Sequence, residues 1–139
     1  MKVVPDSIQF TTRGFNDVKD LTSQVSQRLA VHRLKDGTVT LFVPGSTAGL
    51  TTIEFEPGVV EDLSGLLERL IPSDRPYRHD DKWGDGNGFA HVRAALIGPS
   101  LTLPFNDGRL GLGTWQQVVF IDFDNKPRSR TVLLQFIGA

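Results

Sequence analysis

The run from Gln116 to Phe123 constrains this chain more than any other. Read as a strand, it turns Val118 and Phe120 to one side and Val119 and Ile121 to the other, so both faces are apolar. Such a strand needs cover above and below. In a chain of 139 residues, helices can cover one face, and a neighbouring subunit can supply the rest.

The remaining pattern gives short strands and a few amphipathic helices. Ile8 to Thr11 reads as a first strand, stopped by Arg13-Gly14. From Asp17 to about Ala30, the residues Val18, Leu21, Val25 and Leu29 fall on one helical stripe, with Asn16 or Asp17 as its cap. After the Asp36-Gly37 turn, Thr38 to Val43 reads as a strand, and Leu50 to Phe55 reads as its partner. A second helix carries Val59, Leu63, Leu66, Leu67 and Leu70 on one side and ends at Pro72. Arg75 to Gly88 is irregular and polar, and a short helix follows from about Phe89 to Ile97. Ser100 to Phe105, Gln116 to Phe123 and Thr131 to Ile137 close the chain as strands, the last two joined by the hairpin-like Asp124-Asn125-Lys126-Pro127. Strands that cluster instead of alternating with helices predict one α+β domain over residues 1–139, a mostly antiparallel sheet covered by two or three helices.

Composition then narrows the chemistry. The chain has no cysteine, which excludes disulfides, thiolate metal sites and cysteine nucleophiles. Any metal must be held by its three histidines, its carboxylates and water. Fifteen basic against sixteen acidic residues provide no overall field for nucleic acid. No run approaches the roughly 20 apolar residues of a membrane helix, and Met1 to Phe10 lacks a signal-peptide pattern. The expectation is a cytoplasmic protein that binds neither membrane nor nucleic acid.

Candidate chemistry gathers between Tyr77 and His91. His79 and His91 flank a loop rich in acids and glycine at the mouth of a helix. With Phe89, Val92 and Leu96 as that helix's apolar stripe, about 100° per residue turns His91 roughly 130° away from it. Imidazole is a common metal ligand, neighbouring carboxylates orient it, and a helix start favours anions. From spacing alone, a surface loop with solvated charges is the commoner reading of the same residues. Ser46 and Thr47, in Gly45-Ser46-Thr47-Ala48, offer hydroxyls to a phosphate or simply to a turn. Glu54 alternates with Ile53 and Phe55 and faces either a pocket or water. Trp115 follows two glycines at a strand entrance, where core packing is the commoner role. Arg128 and Arg130 share one side of a strand start, suited to clamping an anion or to a solvated hairpin. His32, near a helix end, is assigned no chemistry.

Several of these stretches together resemble the YjbQ family of small proteins, described as secondary thiamine-phosphate synthases. Ser100-Leu101-Thr102-Leu103-Pro104-Phe105 is followed by Gly108 and then by Gly113-Thr114-Trp115-Gln116. Tyr77-x-His79, the Gly84 to Asn87 loop, Ala90-His91 and Pro127-Arg128-x-Arg130 complete the match, which runs from about Gly37 to Gly138. The resemblance implies an α+β fold that assembles as a homotrimer around polar, histidine-lined pockets. It implies a divalent metal, magnesium or zinc, and a phosphorylated small molecule as partner. The implied reaction joins a hydroxymethylpyrimidine pyrophosphate to a thiazole phosphate and releases pyrophosphate; the alternative is a non-catalytic, trimeric anion- or metal-binding protein. Carried over by position, His79 and His91 are metal ligands, and Glu54, Asp85 and His91 are catalytic. Ser46, Thr47, Asn87, Trp115 and Arg128 then bind substrate. Two positions depart from the family pattern. Gly45 stands where members usually have histidine, and Ile53 stands where an asparagine normally precedes the glutamate.

Overall fold

The doubly apolar run does become a strand covered on both sides. The computed structural model describes residues 1–139. In chain order its elements are β1 (Lys2–Thr12), β2 (Asp17–Asp20), α1 (Thr22–His32), β3 (Gly37–Phe42), β4 (Ala48–Ile53), α2 (Pro57–Leu70), α3 (Arg78–Trp83), α4 (Gly88–Ile97), β5 (Ser100–Asn106), β6 (Arg109–Leu110), β7 (Gln117–Asp122) and β8 (Arg128–Gly138). They build an α+β domain with two antiparallel sheets, one ordered β1-β8-β3-β5-β6 and the other β2-β7-β4. β7 is the central strand of the smaller sheet. Its Val118 and Phe120 pack into the core shared with α1 and the larger sheet, among Val25, Leu41 and Phe136. Its Val119 and Ile121, with Phe123 just beyond, pack under α2 and α4 against Leu67, Phe89 and Ala90. Cover on both faces therefore comes from within the chain, and the middle sheet separates two cores.

Several local expectations give way to this layering. Asp17 to Asp20 pair with β7 as an edge strand, so Val18 belongs to a sheet and α1 begins only at Thr22. Asp20, rather than Asn16 or Asp17, accepts the Thr22 amide at 2.9 Å. Pairing with a wholly apolar strand has overridden the local helical period. β3 and β4 are not partners: β3 lies between β5 and β8, and β4 pairs with β7. The Asp124–Pro127 connection likewise crosses between sheets and is no hairpin. The polar stretch before α4 contains the short helix α3, which the pattern did not reveal.

α2 starts and stops as its sequence directs. Glu56 caps it by accepting the amides of Gly58 and Val59 at 2.8 and 2.9 Å, and Pro57 fits the first turn. Its apolar stripe is only partly buried, however. Leu67 is 2% exposed, whereas Leu70 is 61% exposed. α4 turns a different face inward from the one its large apolar residues indicate. Phe89, Ala90, Arg93 and Ala94 are buried, while Val92 and Leu96 are exposed. The small side chains of Ala90 and Ala94 let the helix lie close on the sheet.

The outer face of the larger sheet has no covering layer. Its rows Val3–Ile137–Thr38 and Ser7–Leu133–Phe42 point outward, and Val3, Phe42, Leu133 and Ile137 are all substantially exposed. Outward positions on β1 from Val3 to Ser7, on β3, on β5 from Ser100 to Pro104, and on β8 from Thr131 to Ile137 carry no charged residue. An uncharged sheet face this wide is unusual for a surface left in water.

The partial burial of α2 gives a direct test. Leu67→Ala should cost about 2–5 kcal/mol, and Leu70→Ala less than about 0.5 kcal/mol. Urea unfolding of the two variants would show whether one leucine or both sustain the second core.

Candidate functional site

The polar centre lies where the two sheets meet at the C-terminal end of β7. Asp122 is fully buried and accepts two parallel hydrogen bonds from Arg130, at 2.7 Å from Nε and 2.8 Å from Nη2. Thr12 Oγ1 on β1 donates to the same carboxylate at 2.6 Å, and the Asp124 amide does so at 3.0 Å. Asp122 belongs to the smaller sheet, and Arg130 and Thr12 belong to the larger one. Asp124, also buried, accepts from Thr47 Oγ1 and Arg128 Nε at 3.0 Å each. Burial alone would raise the Asp124 carboxyl; the bonds from Thr47 and Arg128 and the nearby Asn87 amide outweigh it and hold it below the usual carboxylate range. Arg128 thus uses Nε on Asp124 and keeps its terminal nitrogens unpaired at the half-exposed rim.

The histidines are brought to this centre by α3 and α4. Asp80 accepts the Tyr77 amide at 3.2 Å through one oxygen and the Gly88 amide at 3.0 Å through the other, joining the start of one helix to the start of the next. The close approach needs glycine at 88, since a Cβ there would sit 2.5 Å from that of Tyr77. The His79 and His91 rings lie against one another, tilted by 35°, with centroids 4.2 Å apart. Asn87 is buried between the two regions: its amide donates to Asp85 at 3.2 Å, and its side-chain oxygen accepts from the Asn125 amide at 3.0 Å. His91 is held below its ordinary value of 6.5, first by burial and then by the charge of His79, against the opposing pull of Asp85, Asp124 and Asp80. A neutral imidazole at pH 7 is free to ligate a metal or accept a proton.

The donor set fits a small divalent ion. His79 Nδ1, Asp80 and Asp85 each offer one ligand atom, and the three lie within 4.8 Å of one another. His79 Nδ1 stands 3.6 Å from Asp85 Oδ1 and 3.8 Å from Asp80 Oδ1. It is buried with no hydrogen-bond partner. Those separations are too long for hydrogen bonds and near what two ligands adopt when each stands about 2.0–2.2 Å from a shared ion. Imidazole with carboxylates suits zinc, and the carboxylates also suit magnesium. His91 adjoins this group without being one of its three converging donors.

Of the residues singled out in the sequence, the fold gathers Thr47, His79, Asp85, Asn87, His91 and Arg128 into one polar cluster. Ser46 lies beside it, exposed and without a hydrogen bond. Glu54 and Trp115 fall elsewhere. Ala48 pairs with Asp122 and Ile53 with Gln117, so β4 and β7 carry the cluster at one end, with Glu54 and Trp115 roughly 17 Å away at the other. His32 is remote too, with Nε2 2.7 Å from Asp6. The sequence reading missed Asp80, Asp122 and Asp124. The available signal was two alternating acids closing an apolar strand, a few residues before Arg128-x-Arg130, because a buried carboxylate needs a cation nearby.

A family model for UPF0047, YjbQ-like proteins, matches residues 6–139. The chain belongs to the YjbQ-like UPF0047 family. A UPF0047 protein of Archaeoglobus fulgidus is 37% identical over 119 residues, spanning 86% of this chain and 90% of that protein. One from Mycobacterium tuberculosis is 39% identical over 120 residues, spanning 86% and 88%. The crystal structure of a YbjQ-like protein of unknown function from Sulfolobus solfataricus superposes with a TM-score of 0.92 at 29% identity, covering 99% of each chain. A conserved hypothetical protein from Thermus thermophilus gives 0.79 at 36% identity, over 94% of this chain and 99% of that one. The two-sheet arrangement is thus a property of YjbQ-like proteins.

At position 45 this YjbQ-like chain has room for a side chain. A Cβ there would meet Arg130 Nη1 at 3.5 Å and Val43 Cγ1 at 3.8 Å, both ordinary contacts, and its backbone is not left-handed.

His91 provides the pH test. Its folded value lies below that of the unfolded chain, near 6.5, so above that pH both states are neutral and the residue contributes no pH dependence. As pH falls through 6.5 the unfolded chain takes up the proton first, and stability drops until the folded value is passed. NMR titration should put the ring's midpoint below 6.5, lower still in Asp85→Asn and higher in His79→Ala. A midpoint at or above 6.5 in the unmodified protein would contradict the geometry.

Proposed function

We propose that the chain is a metal-assisted transferase of the thiamine-phosphate synthase type, acting on phosphorylated small molecules at the His79–His91 cluster. The observation that carries this reading is the convergence of His79, Asp80 and Asp85 beside a neutral His91 and the free end of Arg128. In the proposed reaction the pyrimidine's methylene carbon loses pyrophosphate and gains a bond to the thiazole nitrogen. His79, Asp80 and Asp85 would hold a divalent ion, which would supply neutralising charge for the departing oxygens. The terminal nitrogens of Arg128 bind phosphate oxygens at the rim. His91, neutral, accepts a hydrogen bond or a proton from the bound molecules. Thr47 and Asn87 fix the acids and the loop around them.

A second reading, binding without turnover, is favoured by Gly45 and by the fate of the arginines. Arg130 is spent on Asp122, and Arg128 is half spent on Asp124, so little unopposed positive charge faces the cluster. Purified protein given both phosphorylated precursors and magnesium, followed by mass spectrometry of the product, separates the readings. The transferase reading expects product formation that falls at least about 100-fold in His91→Ala. No product at high protein concentration would overturn it. Calorimetry with zinc should then show binding lost in His79→Ala and strengthened in Gly45→His; equal binding in all three proteins would overturn both readings.

For assembly we propose a homotrimer joined through the uncharged outer face of the larger sheet. Support comes from the exposed Val3, Phe42, Leu133 and Ile137, which a second copy would cover without burying any charge. Light scattering coupled to gel filtration should give three times the 15.3 kDa chain mass, falling to one chain mass in Leu133→Lys. A monomeric unmodified protein would remove this proposal.

A further inference from the structure

A concavity lined by none of the histidines lies between the β1–β2 turn and the start of α2. It encloses about 480 Å³ and is lined by Phe15, Val18, Phe55, Pro57 and Val60, with Arg13 at its rim. That volume is within the range of small-molecule sites.

Its most informative residue is Phe15. Phe15 and Asn16 are consecutive non-glycine residues in the left-handed region, at φ 53° and 63°. A bulky residue there is a real outlier. The residue is also 67% exposed, so the chain accepts backbone strain and an unburied aromatic at one position. The surroundings enforce this conformation. The Phe15 amide donates to the Asp124 carbonyl at 2.8 Å, and the Arg13 amide donates to Asp17 Oδ2 at 2.8 Å. Asn16 is held from both ends, donating to Ser64 Oγ at 2.9 Å and accepting from Arg93 Nη1 at 3.0 Å. Gly14 lets the turn approach the strand end, since a Cβ there would stand 2.5 Å from the Asp124 carbonyl. Phe15 and Phe55, the latter 43% exposed, both line the groove.

The polar groups of the groove select the ligand. Both carboxylate oxygens of Glu56 are taken by the Gly58 and Val59 amides. Asp17 is buried and engaged by the Arg13 amide and Lys19. The Arg13 guanidinium makes only a 3.7 Å contact to Asp17, and its side chain is 87% exposed. A molecule entering the groove meets the rings of Phe15 and Phe55, the aliphatic side chains of Val18 and Val60, and the exposed Arg13 guanidinium, whose one ion pair, to Asp17, is long. Rings of this kind stack on a flat ligand, and the guanidinium favours a carboxylate or phosphate on its edge. We propose that this groove binds a planar aromatic ring bearing one anionic group, at a site separate from the histidine cluster.

The test uses phenyl phosphate, with benzyl alcohol as its neutral counterpart, followed by amide chemical shifts of the whole chain. Phenyl phosphate should shift Arg13, Phe15 and Phe55 with saturable binding, unchanged in His79→Ala. Phe15→Gly should weaken that binding at least tenfold while raising the melting temperature by a few degrees, because glycine adopts the turn without strain. Arg13→Gln should weaken phenyl phosphate severalfold and leave benzyl alcohol unchanged. Val60→Trp, which fills the groove, should abolish both. Shifts absent from the groove, binding unaltered in Phe15→Gly, or binding lost in His79→Ala would each overturn the proposal. So would groove signals that move with protein concentration instead of with phenyl phosphate, since they would make the groove a contact between copies.

Discussion

The buried pair of Asp122 and Arg130 is the interaction on which the rest of the molecule depends. Two antiparallel sheets that share a hydrophobic core can slide along one another, because apolar contact has no direction. A two-bonded carboxylate–guanidinium contact has a direction and a fixed reach. By joining the end of β7 to the start of β8 across the layers, with Thr12 bonded to the same carboxylate, it sets the register of the sandwich at one end. Losing either member of a buried pair costs about 3–5 kcal/mol, mostly through the charge left behind. The pair therefore matters more for which arrangement forms than for how strongly it is held.

The polar cluster around the histidines is a consequence of that seam. Once Asp122 is fixed, the chain leaves β7 through Asp124, whose carboxylate collects Thr47 and Arg128. Asn125 then reaches the α3–α4 loop, donating its amide to Asn87 and its side-chain nitrogen to the Asp85 carbonyl at 2.8 Å. From the other side, Arg93 anchors α4 to α2 with two bonds to the Ile71 carbonyl, at 3.1 and 2.7 Å, and one to Glu68. The two histidines are carried by α3, which has no buried residue, and by α4, which packs Phe89, Ala90 and Ala94 into the second core. His79 therefore owes its placement chiefly to the hydrogen bonds of Asp80, and His91 to packing and hydrogen bonds together.

What the sequence disclosed follows the same division. The both-faced run of β7, the leucine stripe of α2 and its stop at Pro72, and the α+β class all depend on apolar periodicity, which one sequence displays directly. The order of strands does not. β3 and β4 adjoin in sequence yet belong to different sheets, because β8 and β5 offer β3 two apolar partners while β4 and β2 complete β7. β2 was hidden for a related reason: Val18 and Leu21 fit a helical stripe, and only pairing with β7 decides otherwise. On α4 the larger residues Val92 and Leu96 misled, since close approach to the sheet favours Ala90 and Ala94. Candidate site residues named for their chemistry were gathered where they sit near β7's end, and Glu54 and Trp115 were not, because linear spacing carries no information about which end of a strand a loop occupies.

Gly45 then takes a definite physical meaning. The contacts a side chain would make at this position are with Arg130 and Val43, at the margin of the acid–arginine lattice. Nothing in that lattice passes through residue 45. Asp122 has its four donors without it, and Thr47 binds Asp124 and receives Arg130 Nη2 at 2.8 Å. An imidazole there adds a ligand or a cover over Arg130 and is not needed to form the seam. The fold therefore tolerates glycine at 45, where a side chain would meet only Arg130 Nη1 and Val43 at ordinary distances. The three converging donors, His79, Asp80 and Asp85, include no atom of residue 45.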